Sequence, residues 1–223
     1  MTRAILFDLD GTLVDSLEDL AAALDAALVD HGLPTPTRPE VRGWIGGGAR
    51  NLVEHAVTPA LVEGVLARFR VHYAAHPIVH TRLYPGLPPV LDALAAAGHL
   101  LAVLTNKPDE LAAAICAPLL APWPFAAIVG ARAGVPLKPD PTAALALAAQ
   151  LGVEPAHCTM VGDSPVDLEM AHAAGMRAVG VSWGFRPRRE LELARPALLA
   201  DEPADLRWLL EKGPDPFSPS TDR

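Results

Sequence analysis

Apolar residues first gather at positions 4–7 (AILF), an unbroken run that predicts a buried β-strand. Gly11 breaks it, and Asp15-Ser16 can cap a helix. Residues 16–30 then carry Leu17, Leu20, Leu24 and Leu28 at helical spacing, stopped by His31-Gly32-Leu33-Pro34. Further helices are predicted over 38–44, ended by Gly46-Gly47-Gly48, over 49–56 and over about 59–76. No convincing strand lies within residues 15–82, which read as an inserted helical domain.

The pattern changes at Tyr84-Pro85-Gly86. Strands are predicted over 99–104, 126–130, 158–161 and 177–182. Helices are predicted over 87–97, 108–118, from the Lys138–Pro141 segment to Leu151, over 165–174 and over about 203–212. Residues 118–124 are a Pro-rich link, and 213–223 have no apolar period and are expected to be disordered. Strands alternating with helices predict an α/β fold with a parallel sheet covered on both faces. Its core spans 1–14 and 83–212, with the insertion at 15–82 expected to sit over one sheet edge as a lid. Four polar clusters (8–12, 105–107, 138–140 and 162–167) follow strands or open helices. In such a sheet these segments share one edge and can converge.

Composition narrows the function classes. Of 223 residues, 51% are hydrophobic and 20% charged, as in a soluble globular protein with ample core. A net charge of −8 argues weakly against a nucleic-acid partner. Cys116 and Cys158 form no CxxC, which suits a reduced, cytoplasmic protein. The opening apolar run is too short for a signal peptide, and no apolar stretch is long enough to span a bilayer. Lysine occurs only at 107, 138 and 212.

Asp8 and Asp10 lie at the end of the first strand, where two carboxylates repel unless a cation or a shared proton relieves them. An acidic strand end without function is the plain alternative. Asp8 is a candidate nucleophile toward phosphorus. Asp10 is the candidate acid/base, able to protonate a leaving alkoxide and then activate water, or else a turn residue capping amides. Thr105, Asn106 and Lys138 offer hydroxyl, amide and ammonium donors for a phosphoryl group; taken singly they are a loop, a cap and a solvated lysine. Asp163 and Asp167 could join Asp8 around Mg²⁺, a hard cation that takes carboxylate oxygens. Ser164 and Asp167 also match a capping box. His72, His76 and His80, four residues apart, make a zinc site conceivable, although polar-face histidines are commoner.

Together, DLDGTLVD at 8–15, TNK at 105–107, KPDP at 138–141 and GDSPVD at 162–167 resemble the haloacid dehalogenase-like hydrolases in order, spacing and flanking strands. The resemblance implies a Rossmann-like core, Mg²⁺ and an aspartyl-phosphate mechanism. Asp8 would be nucleophile and metal ligand. Asp10 would be acid/base, with its backbone carbonyl on the metal; Asp163 would be a metal ligand, and Asp167 would support it either on the metal or from behind it. Thr105, Asn106, Lys138 and Gly11 would bind phosphate. The segments VRGWIGGGARNLVEHAV, HTRLYPGLPPVL and GVSWGF resemble the phosphoglycolate phosphatases, which implies 2-phosphoglycolate as substrate. The GGGAR loop is also similar to that of N-acetylmuramic acid 6-phosphate phosphatases, and a β-phosphoglucomutase-like phosphotransferase stays open. A non-catalytic phosphate-binding protein would have no need of Asp10 with Asp163. Absence of lysine before residue 107 argues against Schiff-base chemistry from the insertion. Arg50, with Gly47 and Gly48, is the expected contact to the substrate's carboxylate, since a guanidinium fork suits that group, with an arginine at a helix start pointing to solvent as the equal alternative; Arg42 and Arg82 are lesser candidates. Arg186, Arg188 and Arg189 are expected to be a solvated basic patch, with a role near the site entrance as the alternative. The expected partner is a small phosphorylated metabolite, with no nucleic acid or membrane, and the protein a monomer or homodimer.

Overall fold

The computed structural model describes residues 3–210. The chain opens with β1 (Ala4–Phe7), turns tightly and enters β2 (Val14–Asp15). Four helices follow before it returns through β3 (Arg82–Leu83): α1 (Leu17–Val29), α2 (Arg38–Trp44), α3 (Gly48–Ala56) and α4 (Val62–Ala75). Strands and helices then alternate through α5 (Leu87–Ala96), β4 (Leu100–Pro108), α6 (Asp109–Leu119) and β5 (Phe125–Ala131). They continue through α7 (Thr142–Leu151), β6 (Cys158–Gly162), α8 (Pro165–Ala173), β7 (Arg177–Val181), α9 (Arg188–Leu193) and β8 (Leu198–Ala200).

Six strands form one parallel sheet in the order β5-β4-β1-β6-β7-β8. From β1 the chain builds outward to β4 and β5, then crosses back to β6 and builds the other way. This reversal leaves a crevice beyond the carboxyl ends of the strands. Strand alternation sends Ile5 and Phe7 to one face of the sheet and Ala4 and Leu6 to the other. The first face shares its apolar core with the insertion through Leu9, Leu13, Leu24 and Phe69. The insertion is anchored by a two-stranded ribbon in which Val14 pairs with Leu83 and Asp15 with Arg82.

Several expected boundaries move. β4 continues to Pro108, four residues past the apolar run, so Thr105–Lys107 are in the strand rather than in a loop after it. Past Leu104 its pairing with β5 shifts register and resumes at Pro108 with Ala131. The helix expected from Lys138 starts only at Thr142, because Pro139 and Pro141 lack the amide hydrogens a helix interior requires. Helix α6 runs to Leu119, into the Pro-rich link, with Pro118 inside its last turn. The final helix is a 3₁₀ segment, Pro203–Leu210. Strands β2, β3 and β8 and helix α9 are too short to leave a period in the sequence. The expected disorder of 213–223 lies outside the described residues.

Both ends of the insertion are bonded to one buried carboxylate. Asp19, in the first turn of α1, accepts the amides of Val79, His80 and Thr81 and the Thr81 hydroxyl at 2.6–3.0 Å. Burial works to raise the Asp19 carboxyl, but the bonds from Thr81, His80 and Val79 outweigh it and hold it below its usual range. The ionised form therefore stabilises the fold above the unfolded carboxylate value of 3.8, and this is lost as pH falls through the lower folded value. Asp19→Asn should cost about 2 kcal/mol at pH 7, or about 4–8 °C in Tm, since bonds to a charged acceptor are replaced by weaker ones. The gap from the parent, read from denaturant melts, should narrow from pH 7 to pH 3; a constant gap would show that the charge contributes nothing.

Candidate active site

The turn after β1 delivers the first acids. Asp8 continues the strand ladder, its amide donating to Val161 O at 2.9 Å. The chain then doubles back, with the amides of Leu13 and Val14 donating to Leu9 O at 3.0 Å. Gly11 holds φ +85°, and a Cβ there would fall 2.3 Å from Asp163 Oδ2. Only glycine combines this backbone with so close a neighbour. Thr12 Oγ1 in turn donates to Asp163 Oδ1 at 3.3 Å.

Two buried lysines face these acids. Lys107, at the end of β4, places Nζ 2.9 and 2.7 Å from the two Asp10 oxygens. Ser16 Oγ also donates to Asp10 Oδ1, at 2.6 Å. Lys138 Nζ donates to Asp167 Oδ1 at 2.6 Å and to Leu104 O at 3.0 Å. It lies 2.9 Å from Asp8 Oδ1, as an ion pair without an aligned hydrogen bond, so that oxygen has no hydrogen-bond partner. Asn106 fixes the Lys138 backbone, accepting its amide at 2.9 Å and donating to its carbonyl at 3.2 Å. Asn106 also donates to Gly46 O in the insertion, at 3.3 Å. Thr105 is buried on the same strand end.

Asp163 and Asp167 arrive on the turn after β6. Ser164 and Asp167 form the expected capping box of α8, with Asp167 Oδ2 accepting the Ser164 amide and hydroxyl. Both Asp167 oxygens are therefore engaged, one by Lys138 and one by Ser164. Carboxylate oxygens of Asp8, Asp163 and Asp167 lie within 4.8 Å of one another. Burial pushes the Asp8 carboxyl up to about 6, with Lys138 opposing the rise and Asp167 and Asp10 adding to it. Asp163 is raised well above the carboxylate range by burial and then by the charges of Asp8 and Asp167. Burial opposes the lysine charges, but Asp10 outweighs it at Lys107, and Asp167 and Asp8 do so at Lys138; both are held above the usual lysine range. Four acids against two lysines leave surplus negative charge. An Asp8 oxygen that accepts no aligned hydrogen bond and a cluster of hard oxygen donors fit a bound divalent cation.

Between this edge and the insertion lies a cavity of about 50 Å³. Asp8, Asp10, Thr105, Asn106 and Lys107 line it from the core, and Gly46, Gly48, Phe69, Arg70 and Tyr73 from the insertion. Lys107 Nζ stands 4.6 Å from the centre of the Tyr73 ring, and the buried Tyr73 hydroxyl has no hydrogen-bond partner. Arg50 is not there. It is exposed on α3, paired with Glu63 at 2.7 Å and Glu54 at 3.7 Å. Gly47 is packed against the Asn51 side chain rather than lining the cavity. Gly48 does line it, at φ +85°, close to Asn106 O. Lys107 sits inside a quoted motif but carried no expected role; Arg70 and Tyr73 left no signal apart from their helical register with Phe69. His72 bonds Asp30 at 2.8 Å, and among the described residues the three histidines do not come together as a metal site.

These features recur in known proteins. Residues 2–175 match the profile of the haloacid dehalogenase-like hydrolases. A phosphoglycolate phosphatase from Pseudomonas putida is 38% identical, over 97% of this chain and 81% of its own. One from Aquifex aeolicus is 38% identical, over 94% of this chain and 97% of its own. The crystal structure of a predicted phosphoglycolate phosphatase from Haemophilus somnus 129pt matches with TM-score 0.83 and 32% identity, covering 94% of this chain and 98% of its own. The overall fold is shared with that crystal structure, and the chain belongs to the haloacid dehalogenase-like hydrolases.

Proposed function

We propose that this phosphatase hydrolyses 2-phosphoglycolate to glycolate and phosphate, with Mg²⁺ held at Asp8, Asp163 and the Asp10 carbonyl. The carrying observation is the cavity between two core acids, Asp8 and Asp10, and a largely apolar wall of the insertion that carries Arg70 and Tyr73. The similarity to phosphoglycolate phosphatases supports the same substrate.

In this reading the Asp8 carboxylate attacks phosphorus and the ester oxygen leaves, giving an aspartyl phosphate. Lys138 and the Thr105 hydroxyl neutralise and orient the phosphoryl oxygens. Bound Mg²⁺ would screen the charge that brings an anionic nucleophile and an anionic substrate together. Asp10 protonates the leaving oxygen and then removes a proton from the water that splits the aspartyl phosphate. Lys107 bonds both Asp10 oxygens here, which suits the second step. Substrate drawing Lys107 toward its own carboxylate would free Asp10 for the first. Asp167 acts by holding Lys138. The insertion excludes bulk water as a lid. Both cysteines are buried and unpaired, which suits a cytoplasmic enzyme.

Recognition of the glycolate carboxylate passes from Arg50 to Arg70, Tyr73 and Lys107. Arg70 has no ion-pair or hydrogen-bond partner among the described residues and lines the cavity from α4. A phosphate-release panel of 2-phosphoglycolate, N-acetylmuramic acid 6-phosphate, β-glucose 1-phosphate and p-nitrophenyl phosphate should favour the first in kcat/KM by about a hundredfold, some 2.7 kcal/mol. Chelation by EDTA and Asp8→Asn should each abolish turnover; a flat profile lost in Asp8→Asn would keep the chemistry and discard the substrate. Arg70→Ala should raise KM for 2-phosphoglycolate about tenfold while leaving p-nitrophenyl phosphate within about twofold, and Arg50→Ala should change neither. Loss of 2-phosphoglycolate selectivity in Arg50→Ala instead would refute this assignment.

A further inference from the structure

One peptide group connects the helical insertion to the acidic edge. In the loop after β7, the amide of Phe185 donates to Asp163 Oδ2 at 2.7 Å. The carbonyl of that same peptide, on Gly184, accepts from Arg42 Nη2. Arg42 Nε donates to the next carbonyl, of Phe185, at 3.3 Å. Arg42 belongs to α2 of the insertion, more than a hundred residues away in sequence. The loop reciprocates: Arg186 donates to Gly43 O and, at 2.7 Å, to Ile45 O, at the carboxyl end of α2. Those carbonyls have no partner within the helix and carry the negative end of its dipole, so a guanidinium suits them.

The loop and Asp163 are in tight contact. A Cβ on Gly184 would sit 2.3 Å from Asp163 Cβ and 2.4 Å from Gly11 O. Trp183 Nε1 donates to Thr12 O at 3.1 Å, and Thr12 supplies the other hydrogen bond to Asp163. Shifting residues 183–185 therefore shifts the donors that aim the Asp163 carboxylate. A cation on the carbonyl and an anion on the amide polarise one peptide in the same sense, and bonds in such a chain strengthen each other.

We propose that Arg42 is a positioning residue that, through the Gly184–Phe185 peptide, orients Asp163 for the divalent cation. This rests on the reading of Asp163 as a cation ligand. The geometry separates two arginines by role. Arg42 reaches the peptide that bonds Asp163, whereas Arg186 holds the 43–45 segment, next to cavity-lining Gly46 and Gly48.

Mn²⁺ binding to the substrate-free full-length protein, titrated by electron paramagnetic resonance, tests this without turnover. Arg42→Met should weaken Mn²⁺ about tenfold, the lower end of what loss of a partner behind a metal ligand costs. Arg42→Lys should recover part of that loss. Arg186→Met should change the Mn²⁺ Kd less than about twofold while raising KM. Asp163→Asn, measured alongside, must weaken Mn²⁺ strongly; if it does not, the cation-site reading falls and the proposal with it. A lower Tm in Arg42→Met with unchanged Mn²⁺ affinity, while Asp163→Asn is impaired, would overturn the positioning role alone. Equal loss in Arg42→Met and Arg186→Met would overturn it too, by placing the effect in the seating of α2.

Discussion

Four carboxylates and two ammonium groups share a dry strand edge, and most of the local architecture answers that constraint. A buried charge without a partner costs several kcal/mol, so each must be met within hydrogen-bonding reach. Lys138 spans Asp167 and Asp8 from a backbone fixed by Asn106, and Lys107 forks onto Asp10. Glycines stand where any side chain would push an acid away: Gly11 and Gly184 against Asp163, and Gly162 against Asp167. Removing one member would leave a neighbour unpaired, so the cluster behaves as a unit rather than as six separate residues. The charge that remains uncompensated is on the Asp8 and Asp163 side, where the carboxylate oxygens lie close enough together to share a cation.

The two walls of the cavity divide the work. The core wall is built of strand ends and tight turns, which hold charged groups to a fraction of an ångström. The opposing wall is helical and mostly apolar, with Phe69, Leu52 and Ile45 excluding water around a few polar groups. The acids of the candidate site sit on the sheet, while Arg42 of the insertion reaches the peptide that bonds one of them.

What could be read from the sequence depended on whether function was written in side chains or in backbone. The four motifs were legible because each puts acids, a lysine or a hydroxyl directly after an apolar run, and a parallel sheet brings such positions together. The insertion was legible from the helical spacing of Leu20, Leu24 and Leu28 and from the absence of strands. Arg50 lies outside the cavity lining because its direction is set by Glu63, thirteen residues on, and the glycines beside it in the sequence give no sign of that partner. Arg42 and Arg186 were illegible for a deeper reason. Their partners are carbonyls of Gly184, Phe185, Gly43 and Ile45, and every residue has a carbonyl. Extension of β4 through Lys107 was likewise hidden, since polar residues at a strand end look the same as a loop.

The β2–β3 ribbon has a consequence of its own. Val14 pairs with Leu83 and Asp15 with Arg82, so the chain leaves the sheet and returns to it at adjacent points. Asp19 then bonds the outgoing helix to the incoming 79–81 segment, closing the insertion on itself. A segment whose two ends already meet can be lengthened, shortened or exchanged for another without altering the strand order or the register of the six parallel strands. A crossover at this seam would exchange the insertion as one piece, Arg42 and its bond to the Gly184 carbonyl included, making the ribbon the natural junction for building chimaeric proteins.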